Sequence, residues 1–189
     1  MTDPRNVLEL PADLPIPIDD GACDHLPGMR LPALMMPATD GSMVNLSTLP
    51  GRSVVYIYPR TGRPDQPLPT GWDEIPGARG CTPQSCAYRD RAAELEALGP
   101  RVFGLSTQDT EYQREAVQRL HLPYPLLSDE RLEFADALSL PTFEVDGMPL
   151  IKRLTLMVND GMIETVFYPV FPPDADAANV VAWLWERQA

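Results

Sequence analysis

The spacing of apolar positions changes several times along the chain, and each change predicts an element. Leu34-Met35-Met36 and Met43-Val44-Asn45-Leu46 are short apolar runs on either side of Asp40-Gly41, a pair suited to a tight turn, so residues 31–49 read as a β-hairpin. Ser53-Val54-Val55-Tyr56-Ile57-Tyr58 is an unbroken β-branched and aromatic run ending at Pro59, the pattern of a strand buried on both faces. Over residues 87–98 the period lengthens to that of a helix, with Tyr88, Ala92, Leu95 and Leu98 on one face and Gly99-Pro100 as the stop. Residues 101–106 read as the next buried strand. Residues 109–120 read as a second helix with Tyr112, Ala116, Val117 and Leu120 inward. Pro125-Leu126-Leu127 predicts a short strand, and Ser128 the cap of a third helix carrying Leu132, Ala135 and Leu138. Residues 154–158 and 163–168 flank Asn159-Asp160-Gly161 as a hairpin. Residues 174–187 close the chain as a helix with Ala177, Val181 and Leu184 inward.

Two stretches lack periodicity. Residues 1–30 are rich in Pro and Asp and read as an extended lead-in. Residues 59–80 hold five prolines and four glycines with Trp72 and Ile75 among few large apolar groups. A loop of that length is uncommon in a compact domain; it is either a surface insertion or a wall over a functional site. The order of elements is hairpin, β, loop, α, β, α, β, α, β, β, α. A βαβ core followed by an antiparallel hairpin and a closing helix fits a thioredoxin-like three-layer α/β sandwich with an N-terminal β-hairpin extension, built as one domain over residues 31–189.

Composition narrows the function. With 189 residues, 44% of them apolar, the chain has enough material for a real core. A formal net charge of −12 argues against a nucleic-acid or anionic-membrane partner. No secretory leader or membrane-spanning run is visible, so a cytoplasmic setting is expected. Three cysteines are too few for a secreted disulfide scaffold. Cys23 and His25 form a Cys-x-His pair with no second pair nearby, so no metal site is expected.

The remaining cysteines carry the chemistry. Gly80-Cys81-Thr82-Pro83-Gln84-Ser85-Cys86 follows the Pro/Gly-rich loop and leads into a helix. Pro83 suits a first helical turn and Thr82 an N-cap, which puts Cys81 at the mouth of the helix N-terminus. Orphan N–H groups and the helix dipole favour an anion there, and the thiolate is the reactive form of cysteine. Positions i and i+5 of a helix lie roughly 8 to 9 Å apart at Cα, beyond the ~7 Å limit for a bridge. Cys81 and Cys86 therefore bond only if the first turns unwind. Spacing alone fits two ordinary helix cysteines equally well.

The wider motif resembles the peroxiredoxins, most closely their Q type, also called bacterioferritin-comigratory protein. The resemblance rests on Cys81, Thr82, Gln84, Cys86, Arg89 and Asp90, on the strand ending Tyr58-Pro59, on Pro125-Leu126-Leu127-Ser128-Asp129, and on Arg153 opening the late hairpin. It implies a thiol peroxidase for hydrogen peroxide and organic hydroperoxides, with Cys81 peroxidatic and Cys86 resolving. It further implies that Arg153 supports the thiolate and the peroxide; taken alone, Arg153 fits a surface ion pair better, and the Cys81 motif beside it reverses that preference. Thioredoxin or a similar dithiol is the implied reductant, no cofactor is required, and the state is monomer or homodimer. The family's Pro-x-x-x-Thr/Ser-x-x-Cys loop is interrupted. Ala78 stands three residues before Cys81 and Glu74 seven before, so the family proline corresponds to Pro59 and the hydroxyl is assigned to Thr61. A different class stays open, a redox sensor or regulatory binding protein using the same pair. A disulfide oxidoreductase is disfavoured because Cys-x-x-Cys is absent. Cys23 has no assigned role.

Overall fold

A computed structural model describes residues 7–187; residues 1–6 of the lead-in lie outside it. β1 (Met36–Pro37) and β2 (Met43–Val44) form the small hairpin expected around Asp40-Gly41. β3 (Arg52–Ile57) is the middle of a five-stranded sheet. It pairs in parallel with β4 (Arg101–Ser106), which pairs in parallel with β5 (Leu126–Ser128). On its other edge it pairs antiparallel with β8 (Leu154–Asn159), which turns at Asp160-Gly161 into β9 (Met162–Phe167). Side chains alternate along β3, so Val54 and Tyr56 enter one apolar cluster while Val55 and Ile57 enter another.

The two clusters define the outer layers. Helices α1 (Cys81–Asp90), α2 (Ala92–Leu98), α3 (Thr110–Leu120) and α5 (Asp176–Trp185) supply Tyr88, Leu95, Ala116, Leu120, Val180 and Leu184 to the first. The short α4 (Glu133–Ala137) gives Phe134 and Ala135 to the second, joined there by Cys23 and Leu26 of the lead-in and by Leu31 just after it. The result is the thioredoxin-like α/β sandwich expected from the element order.

Four local expectations are corrected. The helix of residues 87–98 begins earlier, at Cys81, and bends at Arg91, whose φ of −104° and ψ of 10° interrupt helical geometry. The ladder still continues through the bend, with Arg91 N–H donating to the Ala87 carbonyl and Leu95 N–H to the Arg91 carbonyl. In α3 Ala116 and Leu120 are buried as expected, but Gln113 rather than Tyr112 is buried with them. Gln113 Nε2 donates to Ser106 Oγ and the Leu127 carbonyl, while Tyr112 lies under the guanidinium groups of Arg60 and Arg63. Ser128 ends β5 and donates to the Gln108 carbonyl; the N-cap of α4 is Leu132, and the Asp129 carboxylate further back accepts from the Phe134 and Ala135 N–H groups at 2.9 Å each. The fourth is a hairpin that apolar periodicity did not reveal, β6 (Thr142–Val145) and β7 (Met148–Ile151) around Asp146-Gly147.

That hairpin explains the long loop. Trp72 and Ala78 of residues 59–80 pack with Val145 and Leu150 into a third buried cluster, flanked by Leu68, Ile75 and Phe143, and the Trp72 and Phe143 rings lie 6.3 Å apart. The insertion and the hairpin are each too short to bury an apolar face alone, and each covers the other. Among the described residues no helix is long and apolar enough to cross a membrane.

Candidate active site

Cys81 is the first residue of α1. The N-cap is Gly80, not Thr82, and the reason is steric. Gly80 has φ of +105°, and a Cβ there would stand 2.6 Å from Pro173 Cγ and 2.8 Å from Leu10 Cδ2. Pro83 still falls within the first turn, where its missing N–H costs no bond; the ladder opens with Gln84 N–H donating to the Gly80 carbonyl at 3.0 Å.

Arg153 is brought to this point by the two-residue link between β7 and β8. Lys152 points outward to an ion pair with Asp20 at 2.9 Å, and Arg153 points inward, where it is 3% exposed. Its guanidinium works as a clamp on the turn before Cys81. Nε donates to the Gly77 carbonyl at 3.3 Å; Nη2 donates to the Ala78 and Arg79 carbonyls at 3.0 and 3.1 Å. The same Nη2 donates to Cys81 Sγ at 3.2 Å, and Nη1 donates to Gln84 Oε1. A second donor also reaches the sulfur, the Arg60 N–H at 3.4 Å. The thiol proton points to the Ala78 carbonyl at 3.5 Å. Position 78 thus contributes a carbonyl shared by Arg153 and the thiol, and Ala78 itself packs in the core beside Trp72.

Thr61 is fully buried, and its hydroxyl donates to Gln108 Oε1 at 3.0 Å. Its N–H donates to the same oxygen, and Gln108 Nε2 returns a bond to the Thr61 carbonyl. This three-bond tie fixes the backbone next to Arg60, whose N–H is the group from this segment that meets the sulfur.

Cys86 is half-buried on α1, and both it and Cys81 are free thiols. Burial pushes the Cys86 thiol up, opposed by the nearby Arg89 and reinforced by Asp90. Cys23 is 5% exposed, and burial followed by the charges of Asp20, Asp19 and Asp24 pushes its thiol up to about 12. It sits in the cluster opposite the one that holds Cys81. His25 Nε2 donates to the Leu138 carbonyl, tying down the lead-in.

Above Cys81 the insertion and the lead-in form a wall. Val7, Gly62, Leu68, Trp72, Arg60 and Arg79 line a half-open cavity of about 10 Å³ at Cys81, room for about one water-sized molecule. Trp72 therefore both anchors the insertion and lines the cavity.

Sequence reasoning missed Asp176. This carboxylate, 1% exposed at the start of α5, accepts from Gln84 Nε2 at 2.8 Å, Tyr88 Oη at 2.9 Å and Thr155 Oγ1 at 2.7 Å, all at Oδ2. Burial raises its affinity for a proton, against the pull of the three donors and of Arg153. The available signal was an acidic residue facing inward at the head of an otherwise apolar helix.

A thiol at a helix start, gripped by a buried guanidinium, is the arrangement of a thiol-based redox protein, and comparison with known proteins gives the family. The Redoxin family model matches residues 26–183. Peroxiredoxin Bcp of Escherichia coli K12 is 31% identical over 165 residues, covering 82% of this chain and 93% of that protein. The chloroplastic peroxiredoxin Q of Suaeda salsa is 30% identical over 158 residues, 83% of this chain but 66% of that protein, so the chain spans slightly less than two thirds of this plant relative. The crystal structure of peroxidoxin BcpB from Mycobacterium tuberculosis superposes with a TM-score of 0.71 at 25% identity, over 87% of this chain and all of that one. The chain belongs to the redoxin family and, within it, to the peroxiredoxins of the Bcp and Q type.

Proposed function

We propose that the protein is a thiol peroxidase acting on hydrogen peroxide and organic hydroperoxides, and that Cys81 is its peroxidatic cysteine. The observation that carries this is the pair of donors on Cys81 Sγ, Arg153 Nη2 at 3.2 Å and the Arg60 N–H at 3.4 Å, beside a small half-open cavity. Both donors favour negative charge on the sulfur, and the guanidinium is also placed for the charge that develops on the departing peroxide oxygen. The Cys81 thiolate attacks one peroxide oxygen, an S–O bond forms as the O–O bond breaks, and the leaving oxygen takes a proton to depart as water or an alcohol. Thr61 serves by holding the Arg60 amide through Gln108.

Cys86 is the resolving cysteine in this reading. Both sulfurs lie on α1, five residues apart, so the helix start must unwind before they meet. The Cys86 thiol then condenses with the Cys81 sulfenic acid, giving a disulfide and one water. A dithiol such as thioredoxin reduces the bond by exchange in a reducing, cytoplasm-like setting.

The test is product mapping after one equivalent of peroxide. A loss of two hydrogens localised to Cys81 and Cys86, reversed by thioredoxin with many turnovers, supports the enzyme. One oxidation that persists in the presence of reductase would favour a sensor. The Cys86→Ser protein should oxidise once at the wild-type rate, stop at a Cys81 sulfenic acid, and turn over at least about 100-fold more slowly with thioredoxin; mass spectrometry and NADPH-coupled turnover read the two effects.

The wall sets substrate size. Trp72→Ala should open the cavity and raise kcat/KM for cumene hydroperoxide about tenfold relative to hydrogen peroxide. It should also cost about 3 kcal/mol of stability through lost packing on Phe143 and Val145. An unchanged substrate ratio would remove the insertion from the specificity account.

A further inference from the structure

Among the described residues, Asp176 is the one buried carboxylate that gathers the helix of Cys81 and Cys86, the central sheet and the closing helix on a single oxygen. Gln84 and Tyr88 reach it from α1, one turn apart on the helix that carries Cys81 and Cys86. Thr155 reaches it from β8 and fixes it to the sheet. The amide of Gln84 is used at both ends, its nitrogen on Asp176 and its oxygen on the Arg153 guanidinium that holds Cys81. Gln84 lies between the two cysteines and Tyr88 two residues beyond Cys86, so these bonds pin the part of α1 that has to unwind before a disulfide can form.

We propose that Asp176 is a latch that keeps α1 wound after peroxide attack, and so sets how long the oxidised Cys81 waits for Cys86. The proposal rests on the peroxidase reading with Cys86 as the resolving thiol. Three donors converge on one carboxyl oxygen shielded from water, and breaking such bonds leaves buried polar groups without partners. Unwinding must release Gln84 and Tyr88 from Asp176. Two fates then compete for the sulfenic acid at Cys81. With the Cys86 thiol it gives the disulfide and water. With a second hydrogen peroxide, whose O–O bond breaks as a further S–O bond forms, it gives the sulfinic acid and water. A tight latch lengthens the first path and favours the second. Asp176 touches neither sulfur nor peroxide, so it is a positioning residue, and its signature is a split between the two steps.

The experiment follows single turnover of the full chain by rapid mixing with hydrogen peroxide, in the wild type, Asp176→Asn and Tyr88→Phe. The latch predicts that disulfide formation quickens about tenfold in Asp176→Asn and by a smaller factor in Tyr88→Phe. The first oxidation of Cys81 should change by no more than about threefold, because Arg153 keeps its backbone carbonyls and Cys81. The peroxide concentration that converts half of Cys81 to the sulfinic acid should rise by the same factor as the resolution rate. Hydrogen exchange should show α1 amides losing protection in both variants while β3 and β4 keep theirs.

Equal resolution rates in the wild type and in the folded Tyr88→Phe protein overturn the latch even where Asp176→Asn fails to fold. First-oxidation and resolution rates that fall together overturn it as well, because that is the mark of general damage to the site. A wild type that oxidises at Cys81 without ever joining Cys86 overturns the Cys86 assignment, and the latch with it. Wild-type disulfide formation with unaltered variants overturns the latch alone.

Discussion

Cys81→Ser should fold like the wild type and consume no peroxide above the uncatalysed background. The size of the effect follows from the nucleophile. Cysteine attacks an O–O bond through a soft, polarizable sulfur, a property that a serine hydroxyl lacks. Removing a catalytic nucleophile elsewhere costs up to about 10⁶-fold in turnover, and a loss of at least about 10⁴-fold is expected here. The fold should tolerate the change because the oxygen can keep the polar contacts of the sulfur. Arg153 Nη2 and the Arg60 N–H still have an acceptor, and the Ala78 carbonyl still has a donor. Cys23→Ser is the matched control and should retain full turnover, since that thiol is buried in the opposite cluster and is held protonated by burial and three nearby aspartates. The measurement is peroxide consumption with a thioredoxin recycling system, beside a melting curve for each protein. Wild-type turnover in a folded Cys81→Ser protein would remove the proposed chemistry entirely.

The central strand and the redox motif were legible because each is written locally. An unbroken run such as Val54 to Ile57 has few alternatives to a doubly covered strand, and a proline beside a cysteine at the head of an apolar-periodic segment points to a helix start. Features set by partners distant in sequence were not legible. Gly80 caps α1 because Pro173 and Leu10 crowd it, and nothing near residue 80 announces either neighbour. Gln113 is buried because Ser106 and Leu127 offer it acceptors, so a polar residue took the inward place that a hydrophobicity pattern gives to Tyr112. The hairpin β6–β7 was a different failure. Asp146-Gly147 is a strong local turn signal, but Glu144 and Pro149 break the apolar alternation on either side. Its apolar face is matched to Trp72 and Ile75, some seventy residues earlier, and makes sense only with the insertion in place.

The insertion also changes what holds Cys81. The short family loop that the sequence resembles would place a hydroxyl three residues before the thiol; here that place is Ala78, and the backbone does the work. Three successive carbonyls, from Gly77, Ala78 and Arg79, are drawn onto one guanidinium. A long, glycine-rich entry can bend to present them, and the hairpin core at Trp72 keeps the entry from moving away.

Arg153→Lys should for that reason be severe although it conserves the charge. Arginine offers five N–H donors in a fixed fork, whereas lysine offers three on a compact ammonium. In the wild type the fork serves three carbonyls, Gln84 Oε1 and Cys81 Sγ together. A lysine that reaches the sulfur leaves most of those acceptors unpaired in a buried turn, at about 1 to 3 kcal/mol for each group that water cannot reach. A lysine that satisfies the turn leaves the sulfur and the departing oxygen with less positive charge beside them. The rate of Cys81 oxidation should fall about 10²- to 10³-fold, the scale of losing one preorganised donor to developing charge. The melting temperature should drop as well. Arg153→Met separates the two contributions, because it removes charge and donors together. If charge alone activates the peroxide, Arg153→Lys will oxidise far faster than Arg153→Met. If the fork geometry is what counts, both will be slow, and equally so. Wild-type oxidation rates in both would mean that the 3.2 Å contact is only structural and that the Arg60 amide and the helix start suffice.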